Sequence, residues 1–190
     1  MSIALHGFGL GGGIAIGQAY ILDKDLEGVA QFTLEANEIA AEVIRFEQAV
    51  KTTRKELEYL RCNIPSGAPA ELGAFLSLNI MMLNDSQISQ APLEIIKQES
   101  CNAEWAIKLQ ADYLSHQFDE MSDAYLKERK NDVVQVLERV FKNLEGNKFD
   151  WADEGKLEKG ILVTRDLSPA DLVQFKASNF AGFITDYGSL

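Results

Sequence analysis

Residues 160–190 read GILVTRDLSPADLVQFKASNFAGFITDYGSL, and the predicted architecture starts from them. Residues 161–163 form an apolar run that is long enough for a buried strand and too short for a helix. Ser168 can cap a helix whose first turn accepts Pro169, because that turn does not need the missing proline N–H. Residues 182–185 predict a second strand. The order strand, helix, strand is typical of a parallel sheet, in which chemistry gathers beyond the carboxyl ends of the strands.

A glycine-rich segment near the amino terminus, residues 7–12, satisfies the pattern G-x-G-x-x-G. A dinucleotide site of this kind needs a strand before the glycines and a helix directly after them, so that the helix N-terminus meets the pyrophosphate. Residues 14–22 instead read as a strand. We therefore interpret the glycines as a flexible lead into the first strand of the same sheet.

Between residues 33 and 146 the apolar residues recur at helical spacing. Thr33 is a plausible cap for a first long helix that ends before Pro65. A later helix begins after Asn102, and the last one stops at Gly146. Short connections between such helices predict antiparallel packing in a bundle. The predicted apolar positions are Ile39, Val43, Phe46, Val50, Leu57 and Leu60 in the first helix, Leu72, Phe75, Leu76, Ile80, Met82 and Leu83 in the second, Ile95 and Ile96 after Pro92, Trp105, Leu109 and Tyr113 after Asn102, and Val133, Val136, Leu137, Val140 and Leu144 in the last.

Composition excludes several classes of function. A formal net charge of −11 argues against nucleic-acid binding and is compatible with a basic protein partner. The apolar runs are shorter than the ~20 residues that a membrane span needs, and the first residues lack the features of a signal peptide, so we expect a cytoplasmic protein. Cys62 and Cys101 are far apart and have no nearby metal-ligating partner, which predicts free thiols.

Four segments resemble enzyme I of the bacterial phosphotransferase system, the family of phosphoenolpyruvate-protein phosphotransferases. They are residues 161–169 followed by 182–186, residues 13–19, residues 79–83 with Asp85, and residues 125–129. The resemblance implies a mainly helical α+β fold. An antiparallel helical bundle that binds the phosphocarrier HPr, residues 33–146, is then inserted into a partial α/β phosphohistidine subdomain, residues 1–32 and 147–190.

The resemblance also implies a histidine that accepts phosphate from phosphoenolpyruvate and passes it to HPr. His6 lies in the glycine-rich lead and His116 lies inside a helix, so neither matches that residue. We expect it beyond Leu190, with Thr185 and Asp186 close to its pocket. We expect no catalytic residue, metal or cofactor within this chain. Substrate and Mg²⁺ would bind a separate carboxyl-terminal domain, through which the full-length protein would form a homodimer.

The resemblance places the carrier-docking residues on three helices. The helix after Glu71 is poor in charge and holds two adjacent methionines, which suit an adaptable binding face. The predicted docking residues are Glu71, Asn79, Met81, Met82, Asp85, Ile88, Phe118, Asp119, Tyr125, Leu126 and Arg129. Where better-known members often carry Glu or His, this chain has Ser77, Asn79 and Gln87, which predicts weaker electrostatic steering of a basic carrier.

Two alternatives to this function remain open. The chain could be a non-catalytic helical adaptor that shares the fold, or it could belong to the phosphoryl-donor subunit of dihydroxyacetone kinase, which carries enzyme-I-like domains. A histidine shortly after Leu190 would separate the enzyme from the adaptor, and the domains that follow would decide the second case.

Overall fold

The computed structural model describes residues 4–10, 12–22, 26, 28–146, 159–165, 167–175 and 180–186. Three strands pair in the order β1-β2-β3, all parallel: β1 is Ala19–Leu22, β2 is Ile161–Thr164 and β3 is Gly182–Thr185. The helix α7, Pro169–Phe175, connects β2 to β3. The predicted strand, helix, strand unit is confirmed. Most of the residues between β1 and β2 are helical, so the fold class is a helical bundle with a small parallel sheet.

The first strand is shorter than predicted. Strand pairing in this region is confined to Ala19–Leu22, although residues 14–18 were expected to contribute as well. Residues 12–18 form no helix, so the glycine-rich lead lacks the helix N-terminus that a dinucleotide site requires. Gln18, between these glycines and β1, nonetheless lies close to β2, since the Ile161 N–H donates to the Gln18 carbonyl at 2.8 Å.

Six helices form the part of the bundle that the structure describes. They are α1, Ile39–Cys62; α2, Glu71–Met82; α3, Ser86–Ser89; α4, Ala91–Glu99; α5, Ala103–Glu120; and α6, Ala124–Leu144. The helices α1 and α6 run antiparallel, because Arg45 near the start of α1 donates to the Leu144 carbonyl at the end of α6, whereas Glu56 farther along α1 pairs with Arg139. Gly146 follows α6 with φ of 66°, a left-handed conformation that suits a glycine stop.

The bundle core contains most of the predicted apolar positions. Phe46, Leu57, Leu76, Leu137 and Val140 are fully or almost fully buried, as expected from their helical spacing. The interpretation of α5 was wrong in one respect, because its buried face is centred on Ala103, Ala106, Ile107, Gln110 and Ala111. Of the predicted line along that helix, Trp105 and Leu109 are half-buried and Tyr113 is exposed, so that line is the flank of the buried face.

The start of α1 also differs from the prediction. Thr33 does not cap a helix; it forms an isolated bridge with Cys101, and α1 begins at Ile39. The segment before α1 pairs with the start of α5: the Leu34 N–H donates to the Ser100 carbonyl, and the Phe32 N–H donates to Asn102 Oδ1. Residues 30–34 are therefore held by a contact that is distant in sequence. Cys62 is exposed and Cys101 is buried, and both are free thiols.

Candidate functional site

The helix α2 presents an apolar stripe to solvent. Its sequence carries no charge after Glu71, and its inner face buries Leu72, Leu76 and Ile80. Positions three and four residues apart lie on one side of a helix, which aligns Ala74, Leu78 and Met81 on the other side. Ala74 is exposed, Leu78 is half-buried and Met81 is 68% exposed. The exposed Glu71 lies at one end of this stripe and the exposed Asp85 follows its other end.

The predicted docking residues at the end of α2 and in the following segment differ in exposure. Asp85 is exposed, and its Oδ1 accepts the Gln87 N–H at 2.8 Å, so it caps α3. Met82 is half-buried against the core. Asn79 and Ile88 are only 4% and 2% exposed. Both side chains face the bundle interior and offer little surface to a partner, and their assignment as docking residues stays a prediction. The Asn79 Oδ1 atom has no hydrogen-bond partner among the described residues.

The turn between α5 and α6 carries the second group of predicted docking residues. Residues 121–123 alone connect the two helices, and Asp123 caps α6 by accepting the Tyr125 N–H at 2.8 Å. Asp119, near the end of α5, pairs with Lys130 of α6 at 2.8 Å. The hydrogen bond from Lys130 lowers the pKa of Asp119 below its ordinary value. Phe118 is half-buried beside this pair.

Arg129 is held in one direction by its own helix. Its Nη1 pairs with Asp132 at 2.8 Å, its Nη2 donates to the Tyr125 hydroxyl at 2.6 Å, and its guanidinium lies 4.9 Å from the centre of the Tyr125 ring. The hydrogen bond to Asp132, followed by that to Tyr125, raises the pKa of Arg129. Both Arg129 and Tyr125 keep exposed surface. An oriented guanidinium can donate hydrogen bonds to a carboxylate or phosphate with little further loss of side-chain entropy.

The predicted docking residues thus fall into three sets, of which Asn79 and Ile88 form the buried one. The accessible ones on α2 and at the cap of α3 are Glu71, Met81 and Asp85, with Met82 half-buried. Those at the α5–α6 turn are Phe118, Asp119, Tyr125 and Arg129. The side chain of Leu126 lies outside the described residues. The helices α2 and α6 contact each other, so the two accessible sets belong to adjoining helices.

A buried polar network in the same bundle was missed by the sequence interpretation. Arg139 of α6 pairs with Glu56 of α1 at 2.8 Å and with Asp171 of α7 at 3.0 Å. Asn143 donates to Glu56 and to Thr53. The sequence does contain a signal for this network, because Arg139 lies among the predicted apolar positions Val136, Leu137 and Val140. Arginine is rarely buried unless it is paired.

The carboxyl ends of β2 and β3 lie side by side. Thr164 pairs in register with Thr185, and the Asp186 N–H donates to the Arg165 carbonyl at 3.1 Å. Asp186 is exposed and Thr185 is half-buried. Residues 187–190, which lead toward the expected position of the reactive histidine, lie outside the described residues. His116 is exposed on α5, with Glu120 3.6 Å away, and His6 is exposed in the lead.

Within the described ranges, the acidic, histidine and cysteine side chains form no cluster that could hold a metal ion. The same residues contain no helix whose length and apolar content would allow it to cross a membrane.

A family model described as PEP-utilising enzyme, N-terminal, matches residues 6–129, a stretch that runs from the glycine-rich lead through α5 to Arg129. The chain belongs to this family. Two curated relatives cover this PEP-utilising enzyme N-terminal chain almost completely. The phosphoenolpyruvate-protein phosphotransferase of Cupriavidus necator is 38% identical over 196 residues, which cover 99% of the chain and 33% of the relative. The protein of the same name from Bacillus subtilis is 31% identical over 184 residues, which cover 97% of the chain and 32% of the relative. The chain thus spans about a third of the length of these relatives.

Two solved structures share the fold of this PEP-utilising enzyme N-terminal chain. The N-terminal domain of Enzyme 1 - Nitrogen matches with a TM-score of 0.69 and 25% identity, covering 93% of the chain and 71% of that structure. The NMR solution structure of Enzyme I matches with a TM-score of 0.68 and 24% identity, covering 92% of the chain and 70% of that structure. Both matches extend over the bundle and the sheet, so the combination of the two is a shared feature of these folds.

Proposed function

We propose that the chain is the carrier-docking, amino-terminal part of a phosphoenolpyruvate-protein phosphotransferase. The observation that carries the proposal is the 38% identity to the Cupriavidus necator enzyme over 99% of the chain. In the whole protein, a histidine beyond Leu190 would take the phosphoryl group of phosphoenolpyruvate on a ring nitrogen, leaving pyruvate, and then pass it to an HPr-like phosphocarrier. The described residues would supply the surface on which that carrier docks.

The proposal divides the work between this chain and the rest of the protein. Phosphoenolpyruvate and Mg²⁺ would bind a separate carboxyl-terminal domain, through which the whole protein would form a homodimer in the cytoplasm. His6 and His116 would not accept phosphate. Phosphoryl transfer requires an imidazole that an in-line donor can approach within a shaped pocket. Both histidines instead lie on open surface, one in the extended lead and one on α5 beside Glu120.

The docking surface combines an apolar strip with charge at its margins. The stripe of Ala74, Leu78 and Met81 offers apolar area, and Glu71 and Asp85 flank it with negative charge. A carrier that fits would bring an apolar patch bordered by basic residues, because complementary rim charges steer the encounter while the apolar centre supplies binding energy. The net charge of −11 acts in the same direction.

Arg129 would serve as the cation of this surface. Asp132 and Tyr125 already fix its guanidinium, so it can orient a carboxylate or phosphate of the carrier without a search through rotamers. A phosphate relay must release its carrier in each cycle. We therefore expect a small interface and a transient complex.

Met81 is a better position than Met82 for a test of docking. A charge at the half-buried Met82 would also disturb the core, whereas Met81 is 68% exposed. We propose titrating the ¹⁵N-labelled chain with the HPr-like carrier of its own source and comparing Met81→Asp with Ile44→Asp. Ile44 is 65% exposed on α1, so this control adds the same charge at a similar exposure on another helix.

We expect Met81→Asp to weaken binding roughly tenfold, or about 1.4 kcal/mol, because it places a charge in the apolar centre of the proposed interface, where the few residues of large contribution lie. Ile44→Asp should leave binding unchanged. Arg129→Ala should weaken binding through the loss of a cation. Absence of binding at millimolar carrier would refute docking and favour the adaptor alternative. Phosphorylation of His6 or His116, detected by mass spectrometry after incubation with phosphoenolpyruvate and a complete enzyme of the family, would refute the proposed position of the reactive histidine.

A further inference from the structure

A buried arginine joins three helices that come from distant parts of the chain. Arg139 of α6 donates through Nη1 to Glu56 of α1 and through Nη2 to Asp171 of α7. The side chains of Arg139 and Asp171 are 8% and 6% exposed, and that of Glu56 is 22% exposed. Because buried charges are tolerated only when they are paired, the guanidinium fixes both carboxylates at once.

Asp171 uses its second oxygen at the start of α7. Its Oδ2 accepts the Ser168 N–H at 3.1 Å and the Ser168 hydroxyl at 2.7 Å, while Ser168 Oγ accepts the Asp171 N–H at 3.2 Å. This reciprocal arrangement is a capping box. Ser168 belongs to the connection that leaves the carboxyl end of β2, next to the end of β3. One carboxylate thus connects Arg139 to the carboxyl edge of the sheet.

The helix α7 also touches the docking part of the bundle. It packs against α1 and against α2, the helix that carries Met81. Ala170, at the start of α7, is fully buried in the bundle core. Two kinds of contact therefore fix α7 to the bundle: apolar packing against α1 and α2, and the ion pair between Arg139 and Asp171.

We propose that Arg139 is a positioning residue that sets the orientation of the sheet edge relative to the carrier-docking surface. This inference rests on the proposed function, because a phosphoryl relay is what requires the sheet edge and the docking surface to keep a fixed relative orientation. The physical coupling is independent of that function. When Arg139 is removed, Glu56 and Asp171 remain as two neighbouring carboxylates without their shared cation.

The repulsion between these two carboxylates should displace α7 rather than α1. Glu56 keeps a hydrogen bond from Asn143 of the bundle, and its side chain is 22% exposed. Asp171 is more deeply buried and sits on a helix of seven residues. The sheet with α7 should therefore reorient, while α1 to α6 keep their packing.

The test compares backbone N–H residual dipolar couplings in Arg139→Met, Arg139→Lys and the parent chain. In the parent, α1 to α6 and the strands should fit a single alignment tensor. In Arg139→Met, the couplings of β2, β3 and α7 should fall roughly twofold relative to those of the helices, because the two parts reorient independently on a fast timescale. Arg139→Lys keeps the charge but loses the fork that reaches both acids, and should give an intermediate result.

Two further variants separate the ion pair from other causes. Asp171→Asn removes the charge and retains an oxygen for the cap, so it should reproduce the effect of Arg139→Met. Arg54→Met is the matched control: Arg54 donates to Asn84 Oδ1 on the surface of the bundle and contacts none of these acids in the described network, so its couplings should match the parent.

A single tensor in both Arg139→Met and Asp171→Asn would overturn the proposal. Loss of helix signal in the bundle of either variant would also overturn it. The ion pair would then be needed for the fold of the bundle itself rather than for the attachment of α7 to it. Since no carrier is present in these measurements, a failure of docking leaves their outcome unaffected.

Discussion

At the scale of single residues, Gly17 shows how closely the residues before β1 approach the start of β2. A Cβ atom built at this position would overlap the Lys159 carbonyl oxygen, a backbone atom that cannot swing away. Lys159 itself has a φ of 67°, which leaves the local chain little freedom to adjust. We predict that Gly17→Ala separates β1 from β2 and lowers the free energy of unfolding by roughly 2 kcal/mol.

Gly13→Ala is the matched control for this prediction, because a Cβ at Gly13 meets nothing within 4 Å. Urea denaturation of the two variants and the parent, followed by the amide signals of β2, would measure the difference. Equal stability of Gly17→Ala and Gly13→Ala would show that the lead does not hold the sheet as described.

The predictability of individual residues depended on whether their partners are close in sequence. The Ser168 cap and the Pro169 first turn could be predicted, because the partner of Ser168 is Asp171 three residues later. The role of Arg139 could not be predicted, since its partners lie 83 and 32 residues away. Asn79 and Ile88 were named as docking residues from the family resemblance, which does not reveal how far neighbouring helices bury these side chains.

At the scale of helices, one arginine connects the ends of α1, α5 and α6. Arg45 of α1 pairs with Glu42 at 2.7 Å and Glu104 at 2.6 Å, and donates to the Leu144 carbonyl. Glu42 also accepts the Ala103 N–H at the start of α5. Burial on its own would raise the pKa of Glu104, but hydrogen bonds from Arg45 and Asn102 outweigh burial and lower that pKa below its ordinary value of 4.5.

This lowered pKa predicts a pH-dependent stability. The unfolded chain binds a proton at Glu104 more readily than the folded chain does, so this carboxylate stabilises the fold above pH 4.5. The contribution is lost as the pH falls through the lower, folded-state pKa. Urea unfolding at several pH values should therefore show a weaker dependence on acid in Glu104→Gln than in the parent. Glu58→Gln, which removes an exposed carboxylate from α1, should retain the parent dependence; identical curves for all three proteins would contradict the prediction.

The helix ends that could be predicted best were those whose start or stop signals are local. Pro92 lies in the first turn of α4 and Gly146 follows α6, as the sequence predicted, whereas the cap that Asp85 forms on α3 was not predicted. The start of α1 could not be predicted. Thr33 has the side chain of a cap, but residues 30–34 instead pair with the start of α5, and that contact depends on the folded bundle.

At the scale of the whole molecule, the bundle has a nearly complete core of its own. Among the described residues, the core cluster runs from Phe46 to Leu144 within the bundle and includes only Leu26 and Ala170 from the sheet part. Leu162 and Phe175 are buried but lie outside this cluster. The division into residues 33–146 and a sheet part stays a prediction. The order of helical and strand patterns indicated it, although no pattern in the sequence could show how α7 attaches one part to the other.

If residues 33–146 are an independent folding unit, the bundle should fold without the carboxyl-terminal unit. Deleting residues 160–190 removes β2, α7 and β3, together with the partner of Arg139 on α7. The remaining helices keep their mutual contacts, and Arg139 keeps Glu56. We predict a helical far-UV circular dichroism spectrum with a cooperative melt at a lower temperature than the parent, because the faces of α1 and α2 that α7 covers become exposed. A random-coil spectrum would show that the sheet part is needed for the bundle to form. A melt at the parent temperature would show that α7 contributes nothing to it.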